Sequence, residues 1–410
     1  MKRILFTFSL TLLLCHAMAQ ETLSLGQCLQ MGIERNLNLK TYEGNVLKGK
    51  HDVSENRARL LPQINIGAGL NDNFTPPVSV TDGSAYGKPY NVTKTLQYNS
   101  SASIQLQMPL YSQTALTALD IAKTLDHLNT LSYAKAKEDL IVQISKMYYL
   151  AQNTEEQIAI IKDNIKRLEE LRDITQAFHD NDMALGVDVK RVNVNLENLS
   201  VQYDNAKAML TQQYNMLKYV IDYPADKTIA VEKADIEQID MASLTGLNEN
   251  LYELQLLQTQ RTLAEQKKKL ARDGYLPKSN GIGVSLRIPV FDGFEKRSKI
   301  RKAQVDIDNA RLSYESALKG MQTQYANAVN DLANNQRNFS KQRDNYLLAE
   351  EVYKVTSDRY REGITSMTEV LQDEMSMSDA QNNYLTAHFN YQVSNLTLLK
   401  LTGQLDKLIK

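Results

Sequence analysis

The placement of proline constrains this chain more than any other feature. Its eight prolines are Pro62, Pro76, Pro77, Pro89, Pro109, Pro224, Pro277 and Pro289, so none falls between Pro109 and Pro224 and none after Pro289. An interior proline removes a helical hydrogen bond and collides with the preceding turn, so only such blanks can hold very long helices. The second blank also carries a helical period. Ile300, Ala303, Ile307, Ala310, Tyr314, Ala317 and Met321 follow alternating steps of three and four. After a four-residue step to Tyr325, the series continues as Leu332, Phe339, Tyr346, Tyr353 and Tyr360, seven apart. A strict seven-residue repeat makes a left-handed coiled-coil seam, and the extra step locally unwinds it. A continuous helix from Phe291 to Tyr360 would run about 100 Å. Gly363 offers a turn, and Met367 to Leu401 reads as the returning helix.

The first blank follows the same plan. Ser112 to about Phe178 reads as one long helix, Gly186 sits at the expected turn, and Val187 to about Val220 returns. Three anchors occur in the same order in both halves. Arg57 to Pro62 answers Leu270 to Pro277, and Met108-Pro109-Leu110-Tyr111-Ser112 answers Ile288-Pro289-Val290-Phe291-Asp292. Leu185-Gly186-Val187-Asp188-Val189 answers Glu362-Gly363-Ile364 and the later Glu369-Val370. The chain therefore reads as a tandem duplication with halves of roughly two hundred residues, 20–225 and 226–410.

Between the anchors the period changes to two. Ile64, Ile66, Ala68 and Leu70 alternate with polar or glycine positions, as do Ala102, Ile104, Leu106 and Met108, and later Ile282, Val284, Leu286 and Ile288. Such alternation marks strands with one apolar and one polar face. It fits an ordinary antiparallel sheet or a transmembrane barrel, which uses about 10 residues per strand. Thr75 to Gln97, rich in proline and glycine, reads as a loop joining two strands.

Composition narrows the functional classes. The formal net charge is -1, which gives no basic excess for nucleic-acid binding. Lys2 and Arg3, the apolar stretch Ile4 to Leu14 and Ala17-Met18-Ala19 read as a secretory signal over residues 1–19. Cys15 raises a lipoprotein alternative, against which the bulky Leu14 weighs. Beyond it Cys28 has no partner for an internal disulfide. No later segment offers roughly 18 to 20 uninterrupted apolar residues, so any membrane crossing requires a closed β-barrel. His51, His127, His179 and His388 are scattered, without the spacing of a metal site. No catalytic, cofactor-binding or metal constellation is found, and no enzyme is expected.

The duplicated order of helix, Leu-Pro, strands, Pro-aromatic, long helix, glycine turn and return helix resembles the TolC family of outer-membrane efflux proteins. The most specific matches are Ile288-Pro289-Val290-Phe291-Asp292-Gly293-Phe294 and Tyr360-Arg361-Glu362-Gly363 through Glu369-Val370-Leu371. The resemblance implies a mainly α fold of two long coiled-coil hairpins, forming an α-barrel when trimeric, with short antiparallel strands given to a shared transmembrane barrel. It implies a homotrimeric outer-membrane duct with a periplasmic extension, in contact with outer-membrane lipid. A periplasmic adaptor (membrane fusion) protein and an energising inner-membrane pump are the implied partners.

The second half departs from the pattern. Pro62 and Pro109 stand 47 positions apart, but Pro277 and Pro289 only 12. One strand and its loop are missing, so that either Tyr275 to Gly281 spans as a degenerate strand or the barrel is incomplete. A non-conducting coiled-coil envelope scaffold is the alternative function. By resemblance, Asp188 and Glu369 match the acids that narrow the periplasmic end, with Asp373 the nearest counterpart of a second acid. Helix-dipole stabilisation of an acid in a first turn explains the same residues equally well. Tyr360, Arg361, Gly186 and Gly363 fall at the tips, where the family places contacts that hold the end shut. Tyr360 also fits as the last seam residue of its heptads. Lys267 to Lys269 with Arg272, and Lys296-Arg297 with Lys299, Arg301 and Lys302, flank the strand anchors as solvated faces or lipid-headgroup contacts.

Overall fold

The computed structural model describes residues 21–94, 97–234, 246–273 and 292–409. The signal segment, Tyr275 to Gly281 and the second-half strand Ile282 to Ile288 lie outside the described residues. Both proline-free blanks are occupied by helical hairpins. The helices are α1 Leu25–Arg35, α2 Leu37–Ala58, α3 Gln113–Asp180, α4 Gly186–Ile221, α5 Tyr252–Asp273, α6 Glu295–Arg361 and α7 Met367–Leu401. The strands are β1 Glu21–Leu23, β2 Gln63–Asp72, β3 Val78–Asp82, β4 Tyr90–Lys94, β5 Tyr98–Gln107 and β6 Ile229–Val231. With 68 and 67 residues, α3 and α6 each run about 100 Å. Both start on a matched cap. The Ser112 hydroxyl accepts from the Ala115 amide, and the Asp292 carboxylate accepts from Phe294 N and Lys296 N. These contacts satisfy donors that a helix start leaves without intrahelical partners.

Two compact units divide the chain. One contains residues 1–46, 129–258 and 311–410. Three apolar clusters form its core. The first gathers Leu25, Cys28 and Leu29 of α1, Ile144 and Tyr148 of α3, Leu217 and Ile221 of α4, and Leu396 and Leu399 of α7. Here β1 and β6 pair in parallel, and the Tyr148 hydroxyl meets the carbonyls of both Leu23 and Glu232. Asn36 separates α1 from α2. Its side chain accepts from Leu39 N and donates to the Val220 carbonyl, tying the junction to the end of α4.

The second cluster draws on all four long helices, with Leu168 and Leu171 from α3, Val192 and Leu199 from α4, Tyr353 and Tyr360 from α6, and Val370 and Met377 from α7. The third packs Leu251 and Leu254 at the start of α5 against Met321 and Leu332 of α6 and Leu398 of α7. Every seam residue of α6 read from the sequence is buried or half-buried. Phe339 stacks on Tyr391 at 5.6 Å and on His388 at 5.0 Å across the hairpin.

The other unit contains residues 47–128 and 259–310. Its strands β2 and β5 pair antiparallel over ten positions, from Gln63 opposite Gln107 to Asp72 opposite Tyr98. Side-chain alternation places Ile64, Leu106, Ile66, Ile104, Ala68, Ala102 and Leu70 on one face. Gln63, Gln107, Asn65, Gln105, Gly67, Ser103, Gly69 and Ser101 form the other. Both strands are exposed throughout, and so is the apolar face. Within the segment read as a loop, β3 and β4 form a second antiparallel pair. No described helix is long and apolar enough to cross a membrane.

Candidate functional site

The two hairpin tips are built alike. In the first, Met183 N donates to Phe178 O at 2.7 Å and Asp182 N to His179 O at 3.0 Å. In the second, Ile364 N donates to Arg359 O at 2.9 Å and Gly363 N to Tyr360 O at 2.9 Å. This is the paired-bond ending in which one residue adopts the left-handed conformation. Gly363 takes it at φ 74°, and Asp182 takes it at φ 58°. Asp182, rather than Gly186, is therefore the structural counterpart of Gly363. Gly186 instead opens α4. A Cβ there would stand 3.3 Å from the His179 ring, which itself contacts the Ala184 carbonyl at 3.1 Å.

With the turns matched in this way, Asp188 and Glu369 are the third residues of their return helices. A carboxylate in a first turn meets the positive end of the helix dipole. Their surroundings differ. Asp188 accepts an ion pair from Arg191 at 2.9 Å, and its side chain is only 17% exposed. Arg191 also reaches the Thr368 hydroxyl at 3.3 Å, linking α4 to α7. Glu369 is exposed and accepts from the Thr365 hydroxyl, while its amide is capped by Ser366 at 3.3 Å. Asp373 turns back across its own hairpin to accept from the Thr356 hydroxyl at 2.6 Å. The neighbouring acid Glu374 is 5% exposed, and burial raises its carboxyl above the usual range against the pull of Arg167.

Tyr360 is buried between the hairpins. Its ring lies 5.6 Å from that of Phe178, and its hydroxyl donates to Thr175 at 3.4 Å. Burial raises the Tyr360 phenol, and the nearby Asp188 charge adds to the shift. Arg361 is exposed and sits 3.9 Å from Glu170 and 3.7 Å from Asp358. Deeper between the hairpins, Asn164 Nδ2 donates to Gln381 Oε1 at 2.8 Å. The tip thus brings together Asp188, Tyr360, Arg361 and the two turns, while Asp373 faces elsewhere.

Two apolar stripes remain exposed on this unit. On α4 they are Val187, Val194 and Val201, seven apart, and on α6 Leu348, Val352 and Val355. A groove of about 390 Å³ runs between α4 and α7, with Val187, Val194, Leu371 and Met375 along it and Lys190 and Arg191 at its rim. The α4 stripe went unread in the sequence, although its seven-residue spacing is visible there. The spacing of three between Asp188 and Arg191 on one helix was the available signal for their ion pair. Among the described residues no cluster of His, Cys, Asp and Glu could hold a metal ion.

Comparison with known proteins bears directly on this architecture. The family model described as outer membrane efflux protein matches residues 28–221 and 276–404. The outer membrane protein TolC of Escherichia coli K12 is 20% identical, over 87% of this chain and 77% of its own length. TolC of Vibrio cholerae is 22% identical, over 87% of this chain and 85% of its own. The fold is similar to that of the outer-membrane channel OprN, with a TM-score of 0.77 over 93% of this chain and 90% of OprN at 14% identity. The outer membrane protein VceC of Vibrio cholerae gives 0.78 over 92% and 96% at 13% identity. On the family model, which spans most of its length, the chain belongs to the outer membrane efflux protein family and is a protein of the outer membrane.

Proposed function

We propose that three copies of this chain close into a ring and form the exit duct of an efflux or secretion system for small molecules or peptides. The observation that carries this reading is the pair of exposed apolar stripes on α4 and α6, beside hairpins whose own seam is already buried. Two different stripes on one chain suit a head-to-tail contact, which generates a closed ring when the rotation permits. The two halves are read as a tandem duplication, each giving one hairpin to the tunnel. Strands β2 and β5, with one apolar and one uncharged polar face, suit a shared barrel with lipid outside and water inside.

The tips are read as the periplasmic end. Three copies of Glu369, with the Asp188–Arg191 pairs beside them, form the constriction, and Tyr360 and Arg361 hold neighbouring hairpins together. The tip turns, Asp180 to Gly186 and Glu362 to Ser366, are the docking place for an adaptor protein. An inner-membrane pump supplies the energy.

Electrophoresis of outer-membrane fractions with and without heating tests the ring, with a heat-labile trimer expected. Val194→Glu with Val201→Glu should abolish it, and a trimer indifferent to both substitutions would overturn the interface. A non-conducting scaffold is the second reading, favoured by the 12 positions between Pro277 and Pro289. Planar-bilayer recording separates the two, because a scaffold trimer gives no unit conductance.

A further inference from the structure

Two adjoining cavities of about 500 and 220 Å³ lie where the α1–α2 junction meets the end of α4, and both are walled by Asn36, Asn38 and Tyr219. They are two lobes of one groove. Asn36 makes its wall rigid, since both ends of its amide are engaged by backbone, at 2.8 Å to Val220 O and 3.0 Å from Leu39 N. The other amides are not used in this way. Asn38 and Asn215 in the larger lobe, and Gln143 in the smaller, are exposed, and their side chains hydrogen-bond to no other described residue. Aromatic rings accompany them along the groove. Tyr219 is 76% exposed, Tyr42 lines the smaller lobe and Tyr223 the larger. Lys218 reaches the larger lobe although it is only 8% exposed, and its ammonium donates to a single described acceptor, Ala225 O at 3.3 Å.

Side-chain amides offer a donor and an acceptor side by side, which matches vicinal hydroxyls and acetamido groups. Tyrosine presents an apolar face with a polar tip, which suits the C–H face of a sugar ring packed beside its hydroxyls. The residual donors of a desolvated ammonium favour a carbonyl or carboxylate acceptor over a second cation. A groove with these three elements, lined also by the carboxylates Asp222 and Asp139, fits a saccharide chain better than an acyl chain or a nucleic-acid backbone. We propose that it binds a glycan strand of N-acetylated amino sugars, the kind of polymer that the cell wall presents to an envelope protein. This role does not depend on conduction.

The mature full-length chain in detergent is titrated with N-acetylglucosamine hexasaccharide by saturation-transfer NMR and co-sedimented with purified cell-wall sacculi. Binding to both is expected, weakened by about tenfold or more in Tyr219→Ala and in Asn38→Ala but retained by Tyr219→Phe. Size-exclusion chromatography of each variant runs in parallel and should show an unchanged oligomer. No binding up to roughly 10 mM saccharide, or equal binding by Tyr219→Ala, would overturn the proposal. Dissociation of the oligomer by Tyr219→Ala would overturn it too, by showing the groove to be a contact between copies.

Discussion

Replacing Tyr360 measures how strongly the two hairpins hold each other at the tip. The side chain is 5% exposed and packs on Phe178 within the cluster shared by all four long helices. Truncating a buried aromatic side chain to alanine costs about 3–5 kcal/mol, least where the surroundings collapse into the space. Tyr360 is one residue from the end of α6, where relaxation is easiest, so Tyr360→Ala should cost about 3 kcal/mol. The hydroxyl contributes little. Its contact to Thr175 is long at 3.4 Å, and the Thr175 hydroxyl already donates to Leu171 O at 2.7 Å. Tyr360→Phe should therefore cost about 0.5 kcal/mol. Amide hydrogen exchange of peptides covering both turns reads these values locally. About 3 kcal/mol corresponds to exchange faster by roughly a hundredfold, and 0.5 kcal/mol to about twofold. A double-mutant cycle with Phe178→Ala should return about 0.5–1.5 kcal/mol of coupling for the ring pair. Wild-type protection in Tyr360→Ala would show that the hairpins are not joined there. Equal effects of Phe and Ala would show that the hydroxyl, not the ring, makes the joint.

Three further outcomes follow from the tips. Glu374 has its carboxyl raised by burial, so the native chain keeps a proton that the unfolded chain releases above the ordinary value of 4.5. Its stability cost is absent below that pH and grows as pH rises toward the native value, so Glu374→Gln should raise the thermal midpoint at pH 8 but not near pH 4; an equal gain at both would refute the assignment. Gly363→Ala forces a Cβ into the left-handed region and should destabilise the second turn by about 1 kcal/mol, whereas Asp182→Gly should relieve the first. Hydrogen exchange of the two turns reads both signs, and a protective Gly363→Ala would contradict the backbone argument. In planar bilayers Glu369→Gln should lower cation preference more than Asp188→Asn, because Arg191 already offsets Asp188; the reverse order would place Asp188 on the conducting surface.

The long elements were legible because their physics is local. Proline-free windows and heptads located α3, α4, α6 and α7 to within a few residues, and seam positions from Ala303 to Tyr360 are covered as that repeat requires. Strands β2 and β5 followed from strict alternation. The parallel pair of β1 and β6 was not legible, since each strand has three residues and its partner lies some two hundred positions away. The turn at Asp182 was missed for another reason. Glycine is the usual marker of the left-handed conformation, but a short polar side chain also tolerates it, so Gly186 drew the assignment that belongs to Asn181-Asp182.

The acids of the tip show where reading by position stops. Asp188, Glu369 and Asp373 are alike in sequence, and an acid near a helix start satisfies the dipole whatever else it does. What separates them is the partner each finds. Arg191 stands one turn along α4 and covers Asp188, Thr356 stands on the opposite helix and turns Asp373 inward, and the Glu369 carboxylate meets, among the described residues, only the local Thr365. Helical spacing narrows the choice without making it, because residues three and four ahead of Glu369 lie on nearly the same face. Those residues are Gln372 and Asp373, and only Gln372 is exposed. The next acid along α7, Glu374, is withdrawn into the packing between the hairpins. Over the first two turns of α7, residues 367–374, a carboxylate ladder therefore has one outward rung, and a ring assembled from copies of this chain would carry the unshielded charge of that end at Glu369.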